Sequence, residues 1–204
     1  MKTISNTALA DIFAQLSEFF KEPTPEFAAD VESGRLRAFF EEAFAMLRLD
    51  SSVLGGLSVS GDAYAKIADE YRKLFMGPLP PYIVPVESVY KKWTSDPDCR
   101  LPIAEKKGYL MGDPAMDMFK RFQAHGIVIP DYFSSMPDHI GLELEYMAFL
   151  YGSADTGTEI TMNFLTEHLD WIGELAFEIE KLNSRGFYAT AARMTALVCS
   201  ALLK

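Results

Sequence analysis

Apolar residues recur along most of this chain at three- and four-residue intervals, the period of helices with one buried face. Leu9, Ile12, Phe13, Leu16, Phe19 and Phe20 form the first stripe, after cap-type residues at 5–7. Pro23 stops that helix. Thr24-Pro25-Glu26 opens a second, with threonine as N-cap and proline in the first turn. Gly34 divides it from a third, whose stripe is Leu36, Phe39, Phe40, Ala43, Phe44 and Leu47. Residues 50–60 are rich in serine and glycine and predict a loop. A fourth helix carries Tyr64, Ile67, Ala68, Tyr71, Leu74 and Phe75, and ends at Gly77.

The same period returns at Asp113-Pro114, read as an N-cap followed by an N1 proline. Its stripe is Ala115, Met118, Phe119 and Phe122, with Gly126 just past the end. Ser135-x-x-Asp138 resembles a capping box with aspartate in place of glutamate, and predicts a helix to about Tyr151. Residues 158–183 predict one or two helices, with Phe164, Leu165, His168, Leu169 and Ile172 on the apolar face. The last helix runs from Phe187 to Leu203. Ile127-Val128-Ile129 is too short for a strand and reads as a buried linker. No convincing run has period two. The fold class is all-α, with about nine or ten helices. Residues 1–204 are expected to form a single helical domain, its N-terminal part (1–76) joined to its C-terminal part (103–204) by the 77–102 connection.

That connection breaks the pattern. Six of the eleven prolines lie in it: Pro78, Pro80, Pro81, Pro85, Pro97 and Pro102. Proline removes a donor and fixes φ, so a long regular helix is excluded across 78–85. Leu79, Tyr82, Ile83, Val84 and Val86 predict an ordered, docked segment. A second irregular place is Pro137-Asp138-His139-Ile140, followed by Glu143-Leu144.

Composition narrows the function classes. A net charge of −10 argues against nucleic acid as the main partner, since phosphate binding needs clustered lysine and arginine. It is compatible with a cationic peptide or protein. Cys99 and Cys199 make neither a disulfide framework nor a zinc set, and Cys199 reads as a small core residue. No stretch reaches the roughly 18 apolar residues of a membrane span, and the first residues do not read as a secretory leader, so a cytoplasmic protein is expected. No G-x-x-x-x-G-K-[ST] loop and no G-x-S-x-G elbow occurs. His139-x-x-x-Glu143 puts two ligand types on one helix face. The di-iron pattern, however, needs Glu-x-x-His on two helices with further glutamates, and the chain has only His125, His139 and His168. A helical metal enzyme and a generic helical adaptor remain as alternatives to peptide binding.

Taken together, Glu70-Tyr71-x-x-Leu74-Phe75-x-Gly77, Pro85-x-Glu87-Ser88-Val89-Tyr90, Gly108-x-x-Met111-Gly112 and Pro137-Asp138-His139-Ile140-x-x-Glu143-Leu144 resemble the TorD/DmsD family. Phe164-x-x-x-His168-Leu169-x-Trp171 and Phe187-Tyr188 resemble that family's C-terminal part. The resemblance covers about residue 60 to the end, with a compatible N-terminus. Members are cytoplasmic maturation chaperones for molybdenum-containing redox enzymes. The resemblance therefore implies an all-helical protein that is not an enzyme. It implies binding of the twin-arginine signal peptide and apo catalytic subunit of a molybdoenzyme, with export delayed until the client's molybdopterin is loaded. No cofactor is expected in the chain itself. Guanine nucleotide has been associated with some members, but no phosphate loop supports it here. Members occur as monomers and as helix-swapped dimers. Relatives that bind one type of signal peptide carry tryptophans in the proline-rich loop; here Tyr82 and Val84 stand there, and Trp93 comes only after it.

A twin-arginine peptide presents two guanidinium groups and then an apolar stretch, so its receiver needs carboxylates or aromatic faces beside an apolar groove. Asp138, Glu87 and Glu143 are the candidate carboxylates, and Tyr82 and Tyr90 the candidate faces for cation–π contact. Leu74, Phe75, Pro85 and Val86 are candidate groove residues, with Ser88 and His139 beside them. The two irregular segments are expected to form opposite walls of one groove. Other readings stay open. Asp138 also suits a helix N-terminus, where His139 would be held neutral. Glu87-Ser88 also suits a cap for a helix starting near Val89. His168 also suits a satisfied core position, Trp171 core or rim, and Tyr71 and Phe75 packing.

Overall fold

The structure, a computed structural model, describes residues 4–77, 80–154 and 156–203. Pro78 and Leu79, both part of the predicted proline-rich connection, lie outside the described residues. Ten α-helices and two short 3-10 helices are present among those described, with no named strand. The helices are α1 (Asn6–Glu18), α2 (Pro25–Glu32), α3 (Arg35–Leu47), α4 (Ala63–Phe75), α5 (Glu87–Tyr90), α6 (Asp113–Ala124), α7 (Ile140–Gly152), α8 (Thr158–His168), α9 (Ile172–Asn183) and α10 (Phe187–Leu202).

Local signals account for most helix ends. The Ser5 hydroxyl accepts from the Ala8 N–H at 3.2 Å, and Thr24 Oγ1 accepts from the Phe27 N–H at 3.2 Å, ahead of Pro25 at the first position of α2. Gly34 takes φ +75° between α2 and α3, a backbone that glycine adopts without strain. At the end of α6, Gly126 has φ +66°; its N–H bonds Gln123 O and the Ile127 N–H bonds Phe122 O, the pairing of a Schellman stop.

Several sequence expectations change. Residues 51–57 are not a plain loop but a 3-10 helix that buries Leu54 and Leu57. Its Gly56 passes so close to α10 that a Cβ would lie 2.0 Å from Thr190 Oγ1. Helix α4 stops at Phe75, two residues before Gly77. Asp113 does not cap α6; its carboxylate reaches back to accept from the Ser95 N–H (2.7 Å) and the Thr94 hydroxyl (2.9 Å). Helix α7 is capped by His139, whose Nδ1 accepts from the Gly141 N–H at 3.1 Å, so the expected Ser135–Asp138 box is not formed. The expected buried linker turns its middle residue outward, with Val128 87% exposed.

Helix α1 lies against α7, while α10 packs on α9, α4 and the first 3-10 helix. The apolar core draws residues from both the 4–76 and the 103–203 parts. Helix α7 is apolar on nearly every face and buried along most of its length, the pattern of a central helix. The buried Glu143 in its first turn is therefore out of place as packing. The N-terminus of α10 is closed by a residue distant in sequence: the Glu70 carboxylate accepts the Phe187 and Tyr188 N–H groups at 3.1 and 3.2 Å. Tyr71 and Phe75 pack on Tyr188, with ring centroids at 5.7 and 5.3 Å. The Glu70-Tyr71-x-x-Leu74-Phe75 motif thus anchors α4 to α10.

Candidate functional site

The proline-rich connection and the Pro137-Asp138-His139 segment touch directly. Val86 and His139 form an isolated antiparallel bridge: the Glu87 N–H bonds Asp138 O at 3.0 Å, and the Ile140 N–H bonds Pro85 O at 3.0 Å. Asp138 Oδ2 accepts from the Ser88 N–H at 2.7 Å and from the Ser88 hydroxyl, and that hydroxyl oxygen accepts from the Gly112 N–H at 3.2 Å. One serine hydroxyl thereby ties together three of the sequence motifs. Gly112 is required there, because a Cβ would lie 2.5 Å from Trp93 O.

This geometry corrects the expected groove. Glu87, Ser88, Asp138 and Glu143 are fully buried, and Leu74, Pro85, Val86 and His139 are buried too. Phe75 is half-buried on Tyr188. The two segments form a closed seam rather than opposite walls. Glu87 and Ser88 lie inside the single turn of α5, which has no side-chain cap, so neither caps a helix starting near Val89.

An open cleft does lie beside the seam. It has a volume of about 760 Å³ and is bounded by α5, α6 and the junction of α8 with α9. Glu87, Tyr90 and Lys91 enter it from α5, Asp117 and Arg121 from α6, and Glu167, His168, Asp170, Trp171 and Glu174 from the third side. A second hollow of about 400 Å³ is lined by Tyr82, Ile83, Val84 and Val89. It shares Tyr90, Lys107 and Glu174 with the first, so the two lie side by side. Tyr90 stacks on Trp171 at 4.9 Å between centroids, and Tyr82 is 44% exposed. Together the two hollows present a charged, aromatic end and a more apolar end, and Lys107 pairs with Glu174 at 3.0 Å where they meet. Of the candidates named from sequence, Tyr82, Glu87 and Tyr90 line them.

Charge in the cleft is organised in pairs. Lys91 Nζ lies 2.7 Å from Glu87 Oε1 and 2.6 Å from Asp170 Oδ1, and donates to Glu167 O at 2.5 Å. Burial pulls the Lys91 ammonium down, but Glu87 and Asp170 outweigh it and hold its pKa above the ordinary value. Arg121 pairs with Asp117 at 2.5 Å and Glu167 at 3.4 Å, and lies over the Phe164 ring at 5.5 Å. Burial pushes Asp117 up, but Arg121 and His168 outweigh it and leave its pKa lowered.

Behind the cleft is an acidic seam. His168 Nδ1 lies 2.8 Å from Glu87 Oε2, and its Nε2 lies 2.9 Å from Asp117 Oδ2. Trp171 Nε1 donates to Glu143 Oε2 at 3.2 Å and to His168 O at 2.7 Å. Burial and the adjacent Glu87 carboxylate drive the Glu143 pKa well above the usual carboxylate range. Burial also raises Asp138, against the pull of the two Ser88 hydrogen bonds. His139 falls to about 3, through burial and then the charge on Lys21. It is neutral at pH 7, as expected from sequence, although burial rather than the helix end is the main cause.

Sequence reasoning passed over Asp117, Glu167, Asp170 and Glu174. The signal was present in Glu167-His168-Leu169-Asp170-Trp171, where two acids, a histidine and a tryptophan sit where α8 breaks into α9. His168 is the satisfied core residue one reading described, yet it also reaches the cleft wall.

The fold is an all-helical one already seen in a solved structure. The architecture matches the solved structure of a protein from Archaeoglobus fulgidus assigned as a redox enzyme maturation protein, with a TM-score of 0.57 and 20% identity, over 97% of this chain and 94% of that one. The chain belongs to the nitrate reductase delta subunit family, whose model matches residues 6–176. It is also similar to the chaperone protein TorD of two Vibrio cholerae serotype O1 strains, each 26% identical over 94% of this chain and 88% of the relative. These relatives bear out the resemblance to the TorD/DmsD family drawn from the motifs. No helix among the described residues is long and apolar enough to cross a membrane.

Proposed function

We propose that this chain is a cytoplasmic maturation chaperone for a molybdopterin-containing oxidoreductase. It binds the twin-arginine signal peptide and the apo catalytic subunit, and delays export until the client's cofactor is inserted. It binds and releases its client without catalysing a reaction. Similarity to TorD chaperones along nearly the whole chain supports the class. The observation that carries the peptide reading is the adjacency of the two hollows, which have Tyr90, Lys107 and Glu174 in common. Carboxylates at Glu167, Asp170 and Glu174 suit guanidinium groups, and Tyr90 and Trp171 add aromatic faces. The adjoining Tyr82, Ile83, Val84 and Val89 suit the apolar stretch that follows the arginines. Capture of purified chain on a panel of immobilised twin-arginine leaders from molybdoenzymes tests this. Retention on at least one leader, and loss when its arginine pair becomes two alanines, is expected. Retention on none, or retention indifferent to the arginines, would sink the reading.

A further inference from the structure

Glu87, Glu143 and His168 come from three different helices, and each brings a ligand-type atom within 4.8 Å of the other two. All three side chains are buried, with Lys91 beside Glu87 and the Trp171 indole N–H beside Glu143. Glu143 is the anomaly. It sits in the most apolar helix among those described, fully buried against the Glu87 carboxyl, with Oε1 receiving no N–H or hydroxyl donor. Two carboxyls buried side by side need a shared proton or a cation between them. His168 is oriented from behind, since Asp117 on α6 holds Nε2 at 2.9 Å and leaves Nδ1 directed at Glu87, 2.8 Å away. A carboxylate holding the far nitrogen of an imidazole is the usual outer support of a metal-bound histidine. Glu143 is supported likewise, by the Trp171 indole N–H.

We propose that Glu87, Glu143 and His168 form a binding site for one divalent transition cation of the zinc class, open to the cleft on its fourth side. Two carboxylate oxygens and one imidazole nitrogen suit Zn²⁺ and its neighbours in the first transition row. The cation lies between α5, α7 and α8, and so clamps the proline-rich connection onto the central helix. Lys91, 2.7 Å from Glu87 Oε1, keeps Asp170 and the Glu167 carbonyl as partners when the cation takes that oxygen. This site is independent of the peptide reading, and it departs from the sequence expectation of no metal.

The full chain is loaded separately with Co²⁺ and Zn²⁺, dialysed against metal-free buffer, and assayed by elemental analysis and by the visible spectrum of bound Co²⁺. Wild type is expected to keep one equivalent, with the absorption of a low-coordinate N/O site. Glu143→Gln and His168→Gln are expected to keep none. Asp117→Asn alters a partly exposed side chain outside the core, so it tests the site with the fold intact, and should weaken retention about 10- to 100-fold. Loss in Asp117→Asn together with either ligand variant upholds the site. No metal on wild type, or retention undiminished in Asp117→Asn, overturns it.

Discussion

Replacing Asp138 separates a structural latch from a ligand. Its Oδ2 takes both the N–H and the hydroxyl of Ser88, and all the atoms are buried. Asp138→Ala removes two hydrogen bonds, each worth about 1–1.5 kcal/mol net, and strands the Ser88 N–H at a cost of about 1–3 kcal/mol. Removing a buried carboxyl whose pKa is raised by desolvation offsets part of that loss. The expected net destabilisation is about 2–4 kcal/mol. Asp138→Asn keeps an acceptor for the Ser88 N–H and hydroxyl, so it should cost less than Asp138→Ala. Urea unfolding followed by Trp171 fluorescence measures both. The latch account fails if Asp138→Ala unfolds at the wild-type midpoint, and fails more sharply if Asp138→Asn keeps full stability but no longer binds a leader peptide that wild type binds.

Other perturbations follow the same geometry. His139 has a folded pKa near 3 against about 6.5 unfolded, so the stability from keeping it neutral is present above pH 6.5 and lost as pH falls toward 3. Wild type should therefore lose up to about 1.4 kcal/mol per pH unit relative to His139→Asn over that window, and parallel pH profiles would refute it. Glu143 runs the other way: its raised pKa gives stability that is present below about pH 4.5 and lost as pH climbs through the folded value. Glu143→Gln should flatten that decline in metal-free buffer, and an unchanged slope in the variant would contradict it. Gly112→Ala drives a Cβ to 2.5 Å from Trp93 O and should cost about 1–3 kcal/mol, read as a fall in melting temperature.

The helical period was a good guide wherever one face of a helix meets the core and the other meets solvent. The stripes of α1 and α3, that of α4 apart from the exposed Tyr64, and the stops at Gly34 and Gly126 came through that way. The 51–57 segment was misread because serine and glycine weigh toward loops, while its burial depends on Gly56 meeting Thr190 from a helix far along the chain. No local signal carries that contact. The site was half legible for a related reason. Residue type marked Glu87, Ser88, Asp138 and Glu143 as unusual, but not which way they face. Their long-range partners lie 24–81 residues away, so burial converted expected ligand contacts into a seam. The cleft wall was hidden differently: Glu167 and Asp170 look like ordinary solvated acids until the break between α8 and α9 turns them toward α5.

Titration calorimetry of the chain against a bound twin-arginine leader peptide, in wild type and in Glu167→Lys and Asp170→Lys, tests the central claim most directly. The cleft account predicts at least a tenfold loss of affinity in each variant, about 1.4 kcal/mol, with helical content by circular dichroism matching wild type. Affinity equal to wild type in both variants would place the peptide elsewhere and contradict it.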